Sequence, residues 1–225
     1  MPAFLDAPVN AAYQLVHGIA TTIEPLTGAY AAAVAIVLCT VAVRLLLLPL
    51  SLAAIRGEKS RATLMPEIRK ISERHAKNPE RVQREVAKLQ AESGTTLLAG
   101  CLPMLAQLPF FWVMYTLFNT AIVAGHSNQL LAGTIFGAPL GIHWPLFAST
   151  PAYLGLALVL AVVAYFSSRR QLRLLDETAS PMTRRMARFL PFGTLVTAAF
   201  IPLAAGLYLL TTTAWTLLER TLLLR

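Results

Sequence analysis

The feature that most constrains this chain is a set of four stretches that carry almost no charge. They cover residues 30–50, 97–123, 151–168 and 189–218. A helix needs about 20 apolar residues to cross roughly 30 Å of hydrocarbon, and each stretch reaches or approaches that length. Because 56% of all residues are hydrophobic and only 13% are charged, the sequence predicts an integral membrane protein.

The distribution of charge predicts an orientation for these stretches. Residues 51–96 contain ten basic and six acidic side chains, and residues 169–188 contain six and two, whereas residues 123–150 contain none. Lys and Arg near membrane spans accumulate on the cytoplasmic side, so both basic segments are predicted to be cytoplasmic. The N-terminus and the uncharged segment are then expected outside.

The last stretch is uncharged over 30 residues, or about 45 Å of helix, and contains Pro191 and Pro202. Its length would fit one tilted span or a tight hairpin of two short spans. A single crossing would carry Arg220 and Arg225 to the outside, whereas a turn near Pro202 returns them to the cytoplasm. The hairpin fits better and gives an all-α polytopic membrane protein with five spans, its N-terminus outside and its C-terminus inside.

These observations divide the chain into ten predicted segments. In order they are an external N-terminal segment with an interfacial helix (1–28), span one (29–51), a cytoplasmic helical hairpin (52–96), span two (97–123), an external loop (124–150), span three (151–168), a basic cytoplasmic loop (169–187), span four (188–201), span five (202–220) and a cytoplasmic tail (221–225).

The N-terminal segment has no basic region before its apolar residues and carries Asp6, so it does not resemble a cleavable signal peptide. Its apolar residues recur at helical spacing, which predicts an amphipathic helix on the membrane surface. They are Val9, Tyr13, Val16, Ile19 or Ala20, and Ile23. The alternative is a disordered tail.

The segment 52–96 has the pattern of two amphipathic helices. Asn78 is a suitable N-cap, and Pro79 is suited to the first helical position. Apolar stripes recur on both sides of this point, at Leu64, Ile68 and Ile71 and then at Val82, Val86 and Leu89. We therefore expect an antiparallel helical hairpin with solvated charged faces, although a simple solvated connector would explain the charges equally.

One arginine interrupts the first apolar stretch, in the sequence CTVAVRLLLLPL. Thr40 and Arg44 are four residues apart and share a helix face. Arg44 could snorkel to the nearby interface, or it could face a water-containing cavity between helices. Because the four apolar stretches contain no Asp or Glu, its partner would be water, polar groups or another molecule.

Two further polar residues are candidates for the same cavity. Gln107 is polar at membrane depth between Pro103 and Pro109, and it could line a groove or cross-link helices by hydrogen bonds. Thr211 could also line a groove, although threonines more often bond back to their own helix. The sequence shows no catalytic motif and no metal-ligand spacing, so we expect neither an enzyme nor a cofactor.

Five segments of the sequence carry a family resemblance. They are VRLLLLPL at 43–50, MPEIRKISERH from Met65, ERVQREVAKLQAESG, GCLPMLAQLPFFWVMY at 100–115 and IPLAAGLYLLTTTAWT at 201–216. Together they resemble the YidC/Oxa/Alb-type membrane protein insertases, in particular bacterial YidC-like members. The resemblance covers residues 13 to 220. The sequence departs from the family at two places. Leu209 stands where the family often has an aromatic residue, and the third span ends AYFSSRRQ, with Ser167 and Ser168, where family members often have glutamines.

The resemblance implies a multi-pass protein of the bacterial plasma membrane that inserts and helps fold newly made membrane proteins. Arg44 would lie in a hydrophilic groove that is closed to the exterior but open to the cytoplasm and the lipid, and Gln107 falls on a polar family position. Implied partners are nascent membrane proteins, the lipid bilayer and, less directly, a Sec translocon, the ribosome and the signal recognition pathway. No specific nucleic-acid sequence is expected as a partner.

Basic residues near the third span are candidate contacts for a ribosome or for anionic lipid headgroups. They are Arg169, Arg170, Arg173, Arg184 and Arg185. Two other functions stay open: a small transporter or anion channel that uses Arg44 as its substrate site, and an assembly chaperone that acts after another translocon. The lack of an internal repeat argues against the transporter.

Overall fold

The computed structural model describes residues 3–93, 102–123, 125–143, 150–175 and 179–223. This part of the chain is predominantly helical. Its α-helices are α1 (Ala3–Thr27), α2 (Ala31–Leu46), α3 (Leu48–Arg74), α4 (Pro79–Ser93), α5 (Leu102–Asn119), α6 (Pro151–Arg173), α7 (Pro181–Phe189), α8 (Gly193–Phe200) and α9 (Leu203–Leu223). The chain folds into two compact units, Met1–Leu45 with Phe111–Leu222, and Leu46–Phe110 with Leu223–Arg225.

Two helical stretches among the described residues are both long and apolar enough to cross a bilayer. The first is Asp6–Leu46, of 41 residues, which joins α1 to α2 through a 3₁₀ turn at Gly28–Tyr30. The second is Pro151–Arg173, of 23 residues. Helix α9 is also long, at 21 residues, but its three consecutive threonines and the Glu219-Arg220 pair dilute its apolar character.

Helix α1 has the apolar face that the sequence predicts. Val9, Tyr13, Val16 and Ala20 are all buried, and Ile23 is partly exposed. The helix packs against Ile122–Val123 and Gln129–Ala132, in the connection between α5 and α6. The helix is therefore ordered by contacts with its own chain, and its position at a membrane surface stays a prediction.

The connection that follows α5 contains short strands, which the all-α prediction omitted. Ile122–Val123 (β1) pairs antiparallel with His126–Ser127 (β2), and Thr134–Ile135 (β3) pairs antiparallel with Ala138–Pro139 (β4). Gly125 and Gly137 have φ angles of 80° and 79°, a region that glycine enters without steric cost. These glycines explain why the chain can turn twice here. We call residues 122–142 the connecting loop.

The connecting loop is fastened to the first turn of α9. The backbone N–H groups of Leu203 and Ala204 donate to the carbonyl oxygens of Ile142 and Leu140, at 3.0 and 2.9 Å. The first N–H groups of a helix have no partner inside the helix, so the loop satisfies donors that would otherwise lack one. The Tyr153 hydroxyl, from α6, donates to the same Ile142 carbonyl.

The loop is also tied to α5 through one buried side chain. The amide nitrogen of Asn128 donates to the carbonyl oxygens of Leu117 and Thr120, at 2.7 and 3.0 Å. These carbonyls lie at the C-terminal end of α5, where helical acceptors lack internal partners. Leu117 and Phe118 are almost fully buried beside them.

Helices occupy much of the segment 169–187, which the sequence analysis assigned to a basic cytoplasmic loop. Helix α6 continues to Arg173, and α7 begins at Pro181. Ser180 caps α7 by accepting a hydrogen bond from the Thr183 N–H at 3.1 Å. The Ser168 hydroxyl donates to the Arg188 carbonyl at 2.9 Å and so ties α6 to α7.

The predicted fourth span is not one regular helix. Residues 188–201 comprise the end of α7, a 3₁₀ turn at Leu190–Phe192 and α8. Pro191 lacks an N–H group and accounts for the turn. A second break at Ile201 and Pro202 separates α8 from α9, at the position where the sequence predicts a turn.

The second unit contains α3 and α4, which pack against each other. The Asn78 side chain accepts a hydrogen bond from the Arg81 N–H at 3.1 Å, as expected for an N-cap. Helix α3 begins at Leu48, inside the predicted first span of 29–51, because a break at Leu47 precedes Pro49. The cytoplasmic location of these helices stays a prediction.

Candidate functional site

Arg44 lies in the last turn of α2, and its guanidinium is partly buried against α9. Its Nη2 donates to the backbone carbonyl of Thr212 at 3.5 Å, the long limit for a hydrogen bond. Its Nε is buried and has no hydrogen-bond partner among the described residues. The guanidinium therefore retains hydrogen-bonding capacity.

Four residues of α9 share the helix face that Arg44 contacts. Tyr208, Thr212, Trp215 and Glu219 follow one another at intervals of four, three and four residues, which places them along one side of a helix. We call these residues the α9 polar stripe. Arg44 meets the stripe near its middle, at Thr212, and Tyr208 and Glu219 are the two ends of the stripe.

Three side chains of the stripe have buried polar atoms without a partner in the described part of the chain. These atoms are Thr212 Oγ1, Trp215 Nε1 and Glu219 Oε1. Each such atom costs about 1–3 kcal/mol if it stays unsatisfied, so natural structures usually supply water or a ligand. Arg44 Nε, on α2, is a fourth buried atom of this kind. These four donors and acceptors are available for hydrogen bonds to water or to a ligand.

Aromatic rings border one end of the stripe. Tyr208 packs against Phe111 and Phe118 of α5, with ring centroids 6.4 and 6.5 Å apart. Phe111 also stacks on Tyr115 at 6.0 Å. The polar stripe thus begins at an aromatic cluster and runs toward the C-terminal end of α9.

Two of the residues predicted to line a groove direct their hydroxyl groups at their own helices. The Thr40 hydroxyl donates to the Ile36 carbonyl at 2.6 Å, and Thr40 is only 3% exposed. The Thr211 hydroxyl donates to the Leu207 carbonyl at 2.8 Å. Arg44 and Thr212, rather than Thr40 and Thr211, are therefore the groups that meet across the two helices.

Gln107 belongs to α5, but its side chain lies outside the described residues. Its relation to Arg44 stays a prediction. The residues that sequence reasoning missed are Trp215 and Glu219. Their signal was available, because they continue the spacing of Tyr208 and Thr212 along α9.

The basic residues near α6 are placed in different ways. Arg169 lies over the Tyr165 ring at 5.2 Å, a cation–π contact. Arg170 Nη2 donates to the Arg220 carbonyl at 2.9 Å. Arg173, Arg184 and Arg185 are exposed at the end of α6 and on α7.

Arg170 and Arg220 also line an open pocket of about 180 Å³ bordered by α6, α8 and α9. Its other polar lining comes from Ser167, Gln171, Thr194, Thr213 and Thr216. Within the described residues, no group of three or more His, Cys, Asp or Glu side chains is placed to hold a metal ion.

Comparison with known proteins gives one consistent result. The chain matches the family described as 60Kd inner membrane protein over residues 22–225. It is 30% identical to the membrane protein insertase YidC of Streptomyces avermitilis, over 99% of this chain and 58% of that protein. Proteins of the same name from Clostridium perfringens and Mycobacterium tuberculosis are each 28% identical, over 63% and 72% of this chain. The chain spans between 56% and 60% of the length of these relatives.

Proposed function

The chain belongs to the 60Kd inner membrane protein family, and on that premise we propose that it is a membrane protein insertase and chaperone. Relatives that bear the name membrane protein insertase YidC support this assignment. The proposed substrates, or clients, are newly made membrane proteins. After insertion, the client has its apolar segment in lipid and its polar tail across the membrane.

The proposed architecture has five spans in a bacterial plasma membrane, with the N-terminus outside and the C-terminus in the cytoplasm. The excess of Lys and Arg in residues 51–96 and 169–188 supports this orientation. The break at Ile201 and Pro202 supports a hairpin between the fourth and fifth spans. The connecting loop would then cover the external side of α9.

The observation that carries the proposal is the partly buried Arg44 guanidinium beside the unpartnered polar atoms of the α9 polar stripe. A polar tail that crosses hydrocarbon loses its water at a cost of several kcal/mol for each unpaired polar group. A groove with donors and acceptors of its own lowers that cost. We propose that Arg44 and Gln107 line this groove, since both are polar residues in otherwise apolar helices.

Arg44 would receive acidic residues of the client tail, because attraction between opposite charges strengthens as the surrounding dielectric falls. The membrane potential, positive outside, would then draw the acidic tail outward at about 2.3 kcal/mol per charge per 100 mV. The client's apolar segment would leave sideways into lipid. No covalent step is needed. The proposed function is to lower the free-energy barrier for moving the client's polar tail across the hydrocarbon.

The exposed basic side chains of Arg173, Arg184 and Arg185 are proposed to contact anionic lipid headgroups or a translating ribosome. Arg169 and Arg170 belong to the same proposed surface. A Sec translocon and the signal recognition pathway are further proposed partners. Ribosome pelleting that declines as salt rises would support the ribosome, whereas binding only to anionic vesicles would support the headgroups.

The central experiment reconstitutes the purified chain in proteoliposomes and measures protease protection of a short client with an acidic translocated tail. We expect Arg44→Ala to lower insertion at least about tenfold, the effect of roughly 1.4 kcal/mol, and Arg44→Lys to retain more activity. Arg84→Ala is the matched control, because the Arg84 side chain is 80% exposed on α4.

Undiminished insertion by Arg44→Ala across several acidic-tailed clients would refute the proposed role of the arginine. Failure of the wild-type chain to insert any client alone would instead favour a chaperone that acts after another translocon. Ion flux that depends on Arg44, without insertion, would identify a channel.

A further inference from the structure

Glu219 is an acidic residue in an unusual environment. It is only 7% exposed, and its Oε1 is buried without a hydrogen-bond partner among the described residues. A buried carboxylate is normally paired with a cation or held by several donors, because its desolvation is costly. No described basic side chain is in ion-pair contact with Glu219.

Arg44, on α2, contacts the face of α9 on which Glu219 lies. Glu219 lies seven residues after Thr212, whose carbonyl accepts the Arg44 hydrogen bond, so the two positions are about 10 Å apart along α9. Helical side chains lean toward the N-terminus, which brings the Glu219 carboxylate toward Arg44. No ion pair joins Arg44 to Glu219 in the described part of the chain.

Other polar groups on α9 between the Arg44 contact and Glu219 can bind a client side chain. Trp215 Nε1 lies between Thr212 and Glu219 on the stripe, and both Trp215 Nε1 and Thr212 Oγ1 are without partners in the described residues. Arg170 and Arg220, two further cations of this region, line the neighbouring pocket. The stripe therefore carries a cation where Arg44 contacts Thr212, near its middle, and an acidic residue at its C-terminal end, Glu219.

We propose that Glu219 is a specificity-determining residue of this site, which weakens the attraction of Arg44 for acidic client side chains and attracts basic ones. This inference rests on the proposed function, because it concerns which client tails the groove accepts. An acidic client side chain bound at Arg44 is repelled by Glu219. A basic client side chain near Trp215 is instead attracted by the Glu219 carboxylate. Wild-type protein would consequently accept tails of both signs rather than acidic tails alone.

The test compares three synthetic client peptides that differ at one tail position, which holds Asp, Asn or Lys. Their affinities are measured for the full chain in nanodiscs made of zwitterionic lipid, for the wild type and for Glu219→Gln. We expect Glu219→Gln to raise the affinity ratio of the Asp to the Asn peptide by about threefold or more, and to lower the ratio of the Lys to the Asn peptide similarly. Glu219→Asp should keep the wild-type ratios, since it keeps the charge.

Glu92→Gln is the matched control, because it removes the same charge from an exposed site on α4, where the side chain is 64% exposed. Its ratios should equal those of the wild type. Thermal unfolding of each variant in detergent separates a folding defect from a change in selectivity.

Ratios that stay constant in Glu219→Gln, or affinities that fall equally for all three peptides, would overturn the proposal, because a purely structural role does not discriminate by charge. The same tails are tested for insertion into proteoliposomes in parallel. Insertion can fail while the binding ratios still shift, and in that case the insertase assignment is refuted but the role of Glu219 stands.

Discussion

A methyl group added at Gly133 should separate the connecting loop from α2. An ideal Cβ at this position would lie 2.6 Å from the Cβ of Ala32, and 3.4 Å from both the Leu130 carbonyl oxygen and Leu140 Cδ1. Nonbonded carbons prefer about 3.5–4.0 Å, so Gly133→Ala demands a shift of roughly 1 Å. The Ala32 Cβ is fixed to the helix backbone and cannot rotate away.

Overpacking of this kind costs about 1–3 kcal/mol, and the reduced freedom of the unfolded chain returns about 0.4–1 kcal/mol. The net loss should therefore be about 1–2 kcal/mol. For a chain of this size that corresponds to a fall in Tm of about 2–8 °C. The shift would also disturb the hydrogen bond from the Leu140 N–H to the Gly133 carbonyl, which is 2.8 Å long.

Thermal unfolding in detergent measures the effect, and Ala32→Gly provides the internal test. Ala32→Gly weakens α2 by itself but removes the methyl group that Gly133→Ala would strike. The double variant should therefore be less destabilised than the sum of the two single variants. Gly155→Ala is the control, because its added Cβ has no neighbour within 4 Å. Additive losses, or a Gly133→Ala variant as stable as the wild type, would refute the packing argument.

Two further substitutions test separate contacts. Asn128→Ala should lower the free energy of unfolding by about 1–3 kcal/mol, because it removes two hydrogen bonds to the end of α5, one buried and one partly buried. An unchanged Tm in detergent would contradict this. Thr40→Val should leave insertion within about twofold of wild type, because its hydroxyl bonds its own helix. A defect as large as that of Arg44→Ala would show instead that the Thr40 hydroxyl contacts the client.

Features with local causes could be predicted from the sequence. The apolar face of α1 follows from the helical spacing of Val9, Tyr13 and Val16, all of which are buried. The start of α4 follows from Asn78 and Pro79, whose capping geometry needs only neighbouring residues. The start of α7 has a similar signal in Ser180 and Pro181, which the interpretation of 169–187 as a loop overlooked.

Features that depend on contacts between distant segments could not be predicted in this way. Glu219 lies near the end of the predicted span five, and its spacing from Thr212 places it on the same face of a helix. Spacing does not show that this face is covered, whereas the structure leaves Glu219 buried on the face of Thr212. The opposite error concerns Thr40, which has the spacing to accompany Arg44 but bonds Ile36. Which way a hydroxyl turns depends on packing, and spacing alone does not specify it.

The geometry of α9 links the connecting loop to the polar stripe. The helix rotates by about 100° per residue, so a slip of one residue would turn Thr212, Trp215 and Glu219 away from Arg44. The hydrogen bonds from Leu203 and Ala204 to the loop fix the register of the first turn. Because the helix transmits that register along its length, the loop that fastens one end also determines which side chains face Arg44. The hydrogen bonds from the connecting loop to the first turn of α9 thus also determine the orientation of the α9 polar stripe.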